Sequence, residues 1–138
     1  MHERDTIIEA RGIRPFDITD YVNIEGRDGR TLRDVWKDKV ETLRTIMVPG
    51  FPNFFLLLGP NSATGHTSAL IMIESQVQYV LKCLKLMERE NMSHLDPAPD
   101  VVAKYNARLQ RDMKGMVFSG GCNAWYTDAN DRNFTLWP

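Results

Sequence analysis

Gly59-Pro60-Asn61-Ser62-Ala63-Thr64-Gly65-His66-Thr67 is the stretch whose residue types and order are best suited to chemistry. An apolar run, Phe54–Leu58, stops at it, and a long periodic segment begins near its end. Small residues between a strand and a helix start let a ligand approach the backbone. The unpaired N–H groups of the helix's first turn then attract an anion, with a dipole contribution on the order of 1 kcal/mol. The implied chemistry is the binding of an anionic cofactor. A nucleoside-triphosphate loop, Gly-x4-Gly-Lys-Ser/Thr, is the obvious comparison, and it fails twice. The spacing is one residue too long, and His66 stands where a lysine must neutralise phosphate. On these residues alone, an ordinary strand-to-helix connection is the plainer alternative.

Other reactive residues are sparse. His2, His66 and His94 are the three histidines, and none is paired at helical spacing with a second ligand, which argues against zinc. Cys83 falls in an apolar helical stretch and reads as a small core residue. Cys122 lacks a neighbouring base or cation that would favour the thiolate. Phe118-Ser119-Gly120-Gly121-Cys122 is not a Gly-x-Ser-x-Gly elbow, so a serine hydrolase is not indicated. In the tail, Trp125, Tyr126, Phe134 and Trp137 interleave with Asp128, Asn130, Asp131, Arg132 and Asn133. Such a segment lines a pocket or packs as a lid on its own core, and the residues alone leave both open.

The elements that must position these groups are short strands followed by helices. Thr6–Ile8 is β-prone, and Tyr21–Ile24 and Arg30–Leu32 flank Gly26-Arg27-Asp28-Gly29 as a hairpin. Residues 32–44 are mixed, with Trp36 as a packing anchor, and Thr45–Val48 and Phe54–Leu58 are the next strands. Leu70, Ile73, Val77, Val80, Leu81, Leu84 and Met87 recur at three and four residues and predict a helix over 66–90 with one apolar stripe. Ser75, Gln78, Lys82, Lys85 and Arg89 occupy its polar face. Pro99 near a first turn, the stripe Val102, Tyr105, Leu109 and Met113, and Gly115 as a stop predict a second helix over 99–114. The expected class is mixed α/β in one unit spanning residues 1–138.

With 138 residues, a net charge of −1 and mixed-sign charges, the chain has no electrostatic case for nucleic acid or an anionic membrane. No stretch approaches the ~20 apolar residues of a membrane span. Met1-His2-Glu3-Arg4-Asp5 has no apolar signal-peptide region, and a cytoplasmic protein is expected.

In order along the chain, several segments resemble the C-terminal part of class B flavin-dependent monooxygenases of the Baeyer–Villiger type. Asp5-Thr6-Ile7-Ile8-Glu9-Ala10-Arg11-Gly12-Ile13 is similar to a family strand, although Arg11 replaces its usual threonine. Gly26-Arg27-Asp28-Gly29 with Leu32 resembles a family hairpin, and Gly50-Phe51-Pro52-Asn53-Phe54-Phe55 leading to Gly59-Pro60-Asn61 and Gly65-His66 resembles its flavin-contacting segment. Cys122-Asn123-Ala124-Trp125-Tyr126, with Asp128, Asn130, Arg132-Asn133 and Thr135-Leu136-Trp137-Pro138, resembles its C-terminal signature.

The resemblance implies a partial FAD/NAD(P)-binding fold, the C-terminal portion of a flavoprotein with two dinucleotide-binding domains. It implies FAD contacts from Gly59, Pro60, Asn61, Thr64, Gly65 and His66, and Trp125 in a loop closing on NADPH and substrate. The parent reaction would insert oxygen into a ketone or a soft heteroatom substrate. No Gly-x-Gly occurs anywhere in this sequence, so the family's dinucleotide loops would lie upstream and the chain alone is expected to be inactive. Two apolar stripes in so short a chain support an alternative, a non-catalytic α/β module that associates with a partner or with itself.

Overall fold

The structure is a computed structural model, and it describes residues 18–119, 125–127 and 132–138. The strand expected at Thr6–Ile8, the Asp5–Ile13 segment and the Cys122–Ala124 part of the tail signature lie outside the described residues.

Among the described residues, four α-helices carry the fold: α1 (Ile18–Tyr21), α2 (Leu32–Trp36), α3 (Ala69–Arg89) and α4 (Pro99–Met113). Short 3-10 turns lie at Arg27–Gly29 and Val117–Ser119. Extended structure among the described residues is confined to isolated bridges. The expected hairpin is closed by one antiparallel bridge, Glu25 with Thr31, around the Arg27–Gly29 turn. Asp28 and Gly29 there have φ of 60° and 69°, the left-handed conformation that an Asp-Gly turn supplies at low cost.

The expected strands Thr45–Val48 and Phe54–Leu58 are corrected to single bridges, Leu43 with Met47 and Met47 with Phe55. Positive φ at Arg44, Thr45, Asn53 and Leu58 bounds both runs, so neither stays extended long enough to form a ladder. The part of the chain described here is therefore mainly helical, and the α/β expectation holds only weakly.

Leu32, Trp36, Val48, Phe51 and Leu56 form the core of the first half, with Ile24, Val35, Val40 and Phe54 packed around them. The short helix α2 was not legible from periodicity. Its N-cap is Thr31, whose hydroxyl accepts from Asp34 N at 3.2 Å while Asp34 Oδ2 accepts from Thr31 N at 3.3 Å. This reciprocal capping box satisfies two donors that five helical residues cannot satisfy themselves.

Two of the segments singled out in the sequence meet here. Arg27 N donates to Gly50 O at 2.8 Å, and a side chain at Gly26 would collide with Gly50 O and the Phe51 ring, so only glycine permits this approach. The Gly50–Asn53 turn is in turn fastened to the connection before α4. Gly50 N donates to Asp96 Oδ1 at 2.9 Å, Leu95 N to Asn53 Oδ1 at 2.9 Å, and Asn53 Nδ2 to Ser93 O at 3.1 Å.

The helices α3 and α4 match their expected spans closely, but they differ in how they bury. Val102, Leu109 and Met113 of α4 are buried and Tyr105 is half-buried, as its stripe predicts. On α3 the stripe is turned outward: Leu70 is 68% exposed, Val77 37%, Leu81 43% and Leu84 47%. Gln76 and Cys83 are the buried residues of α3 instead. Gln76 fixes this orientation, since Leu58 N donates to its Oε1 at 2.9 Å and its Nε2 donates to Thr45 Oγ1 at 2.6 Å.

Candidate functional site

The Gly59–Thr67 loop runs from the Phe55 bridge to the start of α3, and it divides into two halves. Gly59, Pro60, Asn61 and Ser62 are buried, whereas Gly65, His66, Thr67 and Ser68 are exposed. At Gly59 a Cβ would collide with the Thr45 carbonyl oxygen and press on Leu56, so this residue serves close packing.

Asn61, 3% exposed with φ 59°, clamps the loop to the tail. Its Nδ2 donates to Asn133 O and Leu136 O, each at 2.9 Å, and its N–H donates to Phe134 O at 2.8 Å. Ala63 continues the seam as a parallel bridge with Leu136. Its N–H donates to Thr135 O at 3.0 Å and its carbonyl accepts from Trp137 N at 2.8 Å. The Asn61 amide nitrogen is thereby held by two tail carbonyls.

The second half is open. Thr64 Oγ1 donates to Thr67 O at 3.1 Å, shaping a tight turn just before α3. Ser68, not His66, is the N-cap, and its hydroxyl accepts from Leu70 N at 3.2 Å. A Cβ on Gly65 would meet only the Phe118 ring edge at 3.6 Å, so its backbone remains approachable.

An aromatic cluster stands beside it. Phe118 and Tyr126 pack edge to face at 5.9 Å between centroids, and Tyr126 and Trp125 do so at 5.6 Å. Trp125 is 50% exposed. Sequence reasoning named Trp125 and the loop separately. The structure brings them together through Phe118 and Tyr126, neither of which was among the expected site residues. Their signal was only the aromatic crowding of the tail.

A cavity of about 450 Å³ opens elsewhere, between α3 and α4. Arg44, Tyr79, Tyr105 and Trp137 are among its walls, and none of the expected cofactor contacts lines it. Burial pushes the Tyr105 hydroxyl up to about 12, and its oxygen is buried without a hydrogen-bond partner. Burial likewise raises the Tyr79 phenol and the Cys83 thiol. A reactive thiolate at Cys83 is thus disfavoured. Among the described residues no cluster of three metal-ligating side chains occurs, and no helix is long and apolar enough to cross a membrane.

Comparison with models of known protein families gives no match. Individual proteins do match. A Baeyer–Villiger monooxygenase of Streptomyces coelicolor is 41% identical over 138 residues, covering 99% of this chain and 27% of that protein. One from Pseudomonas aeruginosa is 44% identical over 138 residues, with 99% and 26% covered. The chain's relatives include Baeyer–Villiger monooxygenases. It spans about a quarter of the length of the curated relatives it matches.

Solved structures agree. An oxidised steroid monooxygenase bound to NADP is similar at a TM-score of 0.75 and 25% identity, over 86% of this chain and 22% of that one. The closed form of cyclohexanone monooxygenase gives 0.71 and 25%, over 84% and 22%. A relative from Aspergillus niger, 30% identical over 141 residues, is an FAD-binding monooxygenase.

Proposed function

We propose that this chain is the C-terminal portion of an FAD- and NADPH-dependent monooxygenase of the Baeyer–Villiger type and furnishes one wall of its flavin site. The observation carrying this reading is the exposed half-loop Gly65–Ser68 just before α3 with Phe118, Tyr126 and Trp125 beside it. A bound flavin supplies the oxygen-insertion chemistry, and the polypeptide supplies binding and orientation.

The protein's own contributions follow from the geometry. Thr64, Gly65 and His66 lie just before the N-terminus of α3, on the side of the loop suited to an anionic cofactor group. Gly59, Pro60 and Asn61 act behind them, holding the loop against the tail. Trp125 extends from the aromatic cluster as a half-exposed surface for the nicotinamide cofactor or the substrate. That substrate is a ketone or a soft heteroatom compound: one atom of O₂ enters it, the other leaves as water, and NADPH provides the electrons.

The purified chain mixed with FAD and NADPH is expected to show neither tight flavin binding nor NADPH oxidation. Stoichiometric flavin binding with turnover would refute the assignment as a portion. A positive test uses a chimera in which this chain replaces its matching stretch of the Pseudomonas aeruginosa relative. Gly65→Asp in that chimera sets a carboxylate against the cofactor and should weaken FAD retention at least tenfold. Undiminished FAD content in the variant would remove the loop from the site.

A further inference from the structure

The cavity between α3 and α4, about 450 Å³, lies within the size range of small-molecule pockets, and the proposed flavin wall makes no use of it. Its lining is largely apolar, with Ile46, Met72 and Leu109 beside Tyr79, Tyr105 and Trp137. Three aromatic side chains and a thioether suit a flat ring, which packs well against both.

The charge of the lining is one-sided. Arg108 pairs with Asp112 one turn further along α4, Nε to Oδ2 at 3.6 Å, so these two groups offset each other. Arg44 is the remaining ionic group on the wall, and no acidic side chain among the described residues pairs with it. Its guanidinium lies over the Tyr79 ring, 5.7 Å from the centroid, within cation–π range. Both the Tyr79 and Tyr105 phenols feel that positive charge, which acts against the effect of burial on each.

The backbone points the same way. Leu43 and Met47 close a tight turn whose central residues, Arg44 and Thr45, have φ of 52° and 64°. Asparagine and glycine adopt this conformation at least cost, and other residues held in it mark ligand sites more often than chance packing. Thr45 is accounted for, because its hydroxyl accepts from Gln76 Nε2 at 2.6 Å. Arg44 has no such tie. What the turn achieves there is to set a guanidinium against Tyr79 on the cavity wall.

We propose that this cavity binds a small aromatic monocarboxylate, its ring between α3 and α4 and its carboxylate on Arg44. A planar guanidinium matches the two oxygens of a carboxylate. A phosphate dianion fits less well, since one uncompensated cation would face two charges with Asp112 on the same wall. None of the expected cofactor contacts lines the cavity, so the inference stands apart from the flavin reading.

The test titrates the free 138-residue chain with 2-naphthoate and with the neutral 2-naphthalenemethanol, read by calorimetry and by the three tryptophan indole N–H resonances. The acid should bind at one saturable site and the alcohol about tenfold more weakly. The Trp137 indole should shift, and the Trp125 indole should not. Arg44→Gly removes the cation at a φ where glycine is unstrained, so the variant should melt no lower than the parent. It should lose about tenfold in affinity for the acid and none for the alcohol. The chimera with the Pseudomonas aeruginosa relative should bind the acid as the free chain does.

Equal affinity for acid and alcohol overturns the proposal, as does acid binding that Arg44→Gly leaves intact. A shift at Trp125 in place of Trp137 would put the ligand elsewhere and overturn it too. So would the absence of saturable binding. Binding by the free chain that vanishes in the chimera would show that polypeptide, not a small acid, fills the cavity, and would equally defeat it.

Discussion

Asn61 shows how one side chain can hold two distant segments. It donates twice to tail carbonyls in a buried setting while its own backbone sits at φ 59°. Asn61→Ala would leave buried acceptors unpaired and place an alanine in the left-handed region, where asparagine is tolerated better. The expected cost is about 3 kcal/mol, read as a shift in the urea midpoint at constant slope.

Tyr105 presents the reverse case, a buried hydroxyl with no partner. Tyr105→Phe removes that oxygen and should be neutral or stabilising by about 1 kcal/mol. Its raised value also fixes a pH response. The unfolded phenol ionises near 10 and the folded one only near 12. Its contribution is thus fully present below pH 10 and lost as pH rises through that window. Alkaline unfolding monitored by circular dichroism should be shallower in Tyr105→Phe than in the parent.

Among the elements, α2 carries the clearest local prediction. The Thr31 hydroxyl donates to Asp34 Oδ2 at 2.6 Å, and this bond, followed by that from the Thr31 backbone, holds the Asp34 carboxyl below its ordinary value of 3.8. A depressed carboxyl stabilises the fold above its unfolded value, and that contribution disappears as pH falls through the folded one. Acid titration should therefore show a loss in the parent that Asp34→Asn lacks. Thr31→Ala should cost about 1 kcal/mol at neutral pH.

The capping pair was present in the sequence, but five residues are too few for periodicity to register. The helices α3 and α4 were legible because each offers several turns. The Asp-Gly turn was legible because its chemistry is local. The strands were not, because bridge partners are decided by tertiary contacts and because Arg44, Thr45 and Leu58 adopt left-handed backbone that no composition rule forecasts. The outward turn of α3 was not legible for a related reason: an apolar row does not say which side of the helix the rest of the chain takes.

At the scale of the molecule, the segments that resembled flavin monooxygenases prove to be mutual supports. The Gly26 turn meets the Gly50 turn, and the Asn61 loop meets the Asn133–Trp137 tail. Much of the described signature thus builds the scaffold, while Gly65, His66 and Trp125 stay exposed. That separation was invisible in the sequence, where buried and open residues of the loop are alike in size and polarity.

Gln76 has a consequence of its own. Leucine, valine and methionine lie on both flanks of α3, so oiliness alone would let this cylinder roll about its axis and settle at several angles. One amide, gripping Leu58 and Thr45 at once, breaks that degeneracy as a key does in a shaft. Replacing it with leucine would take the key out and leave the rod free to choose which of its two oily flanks it shows the world.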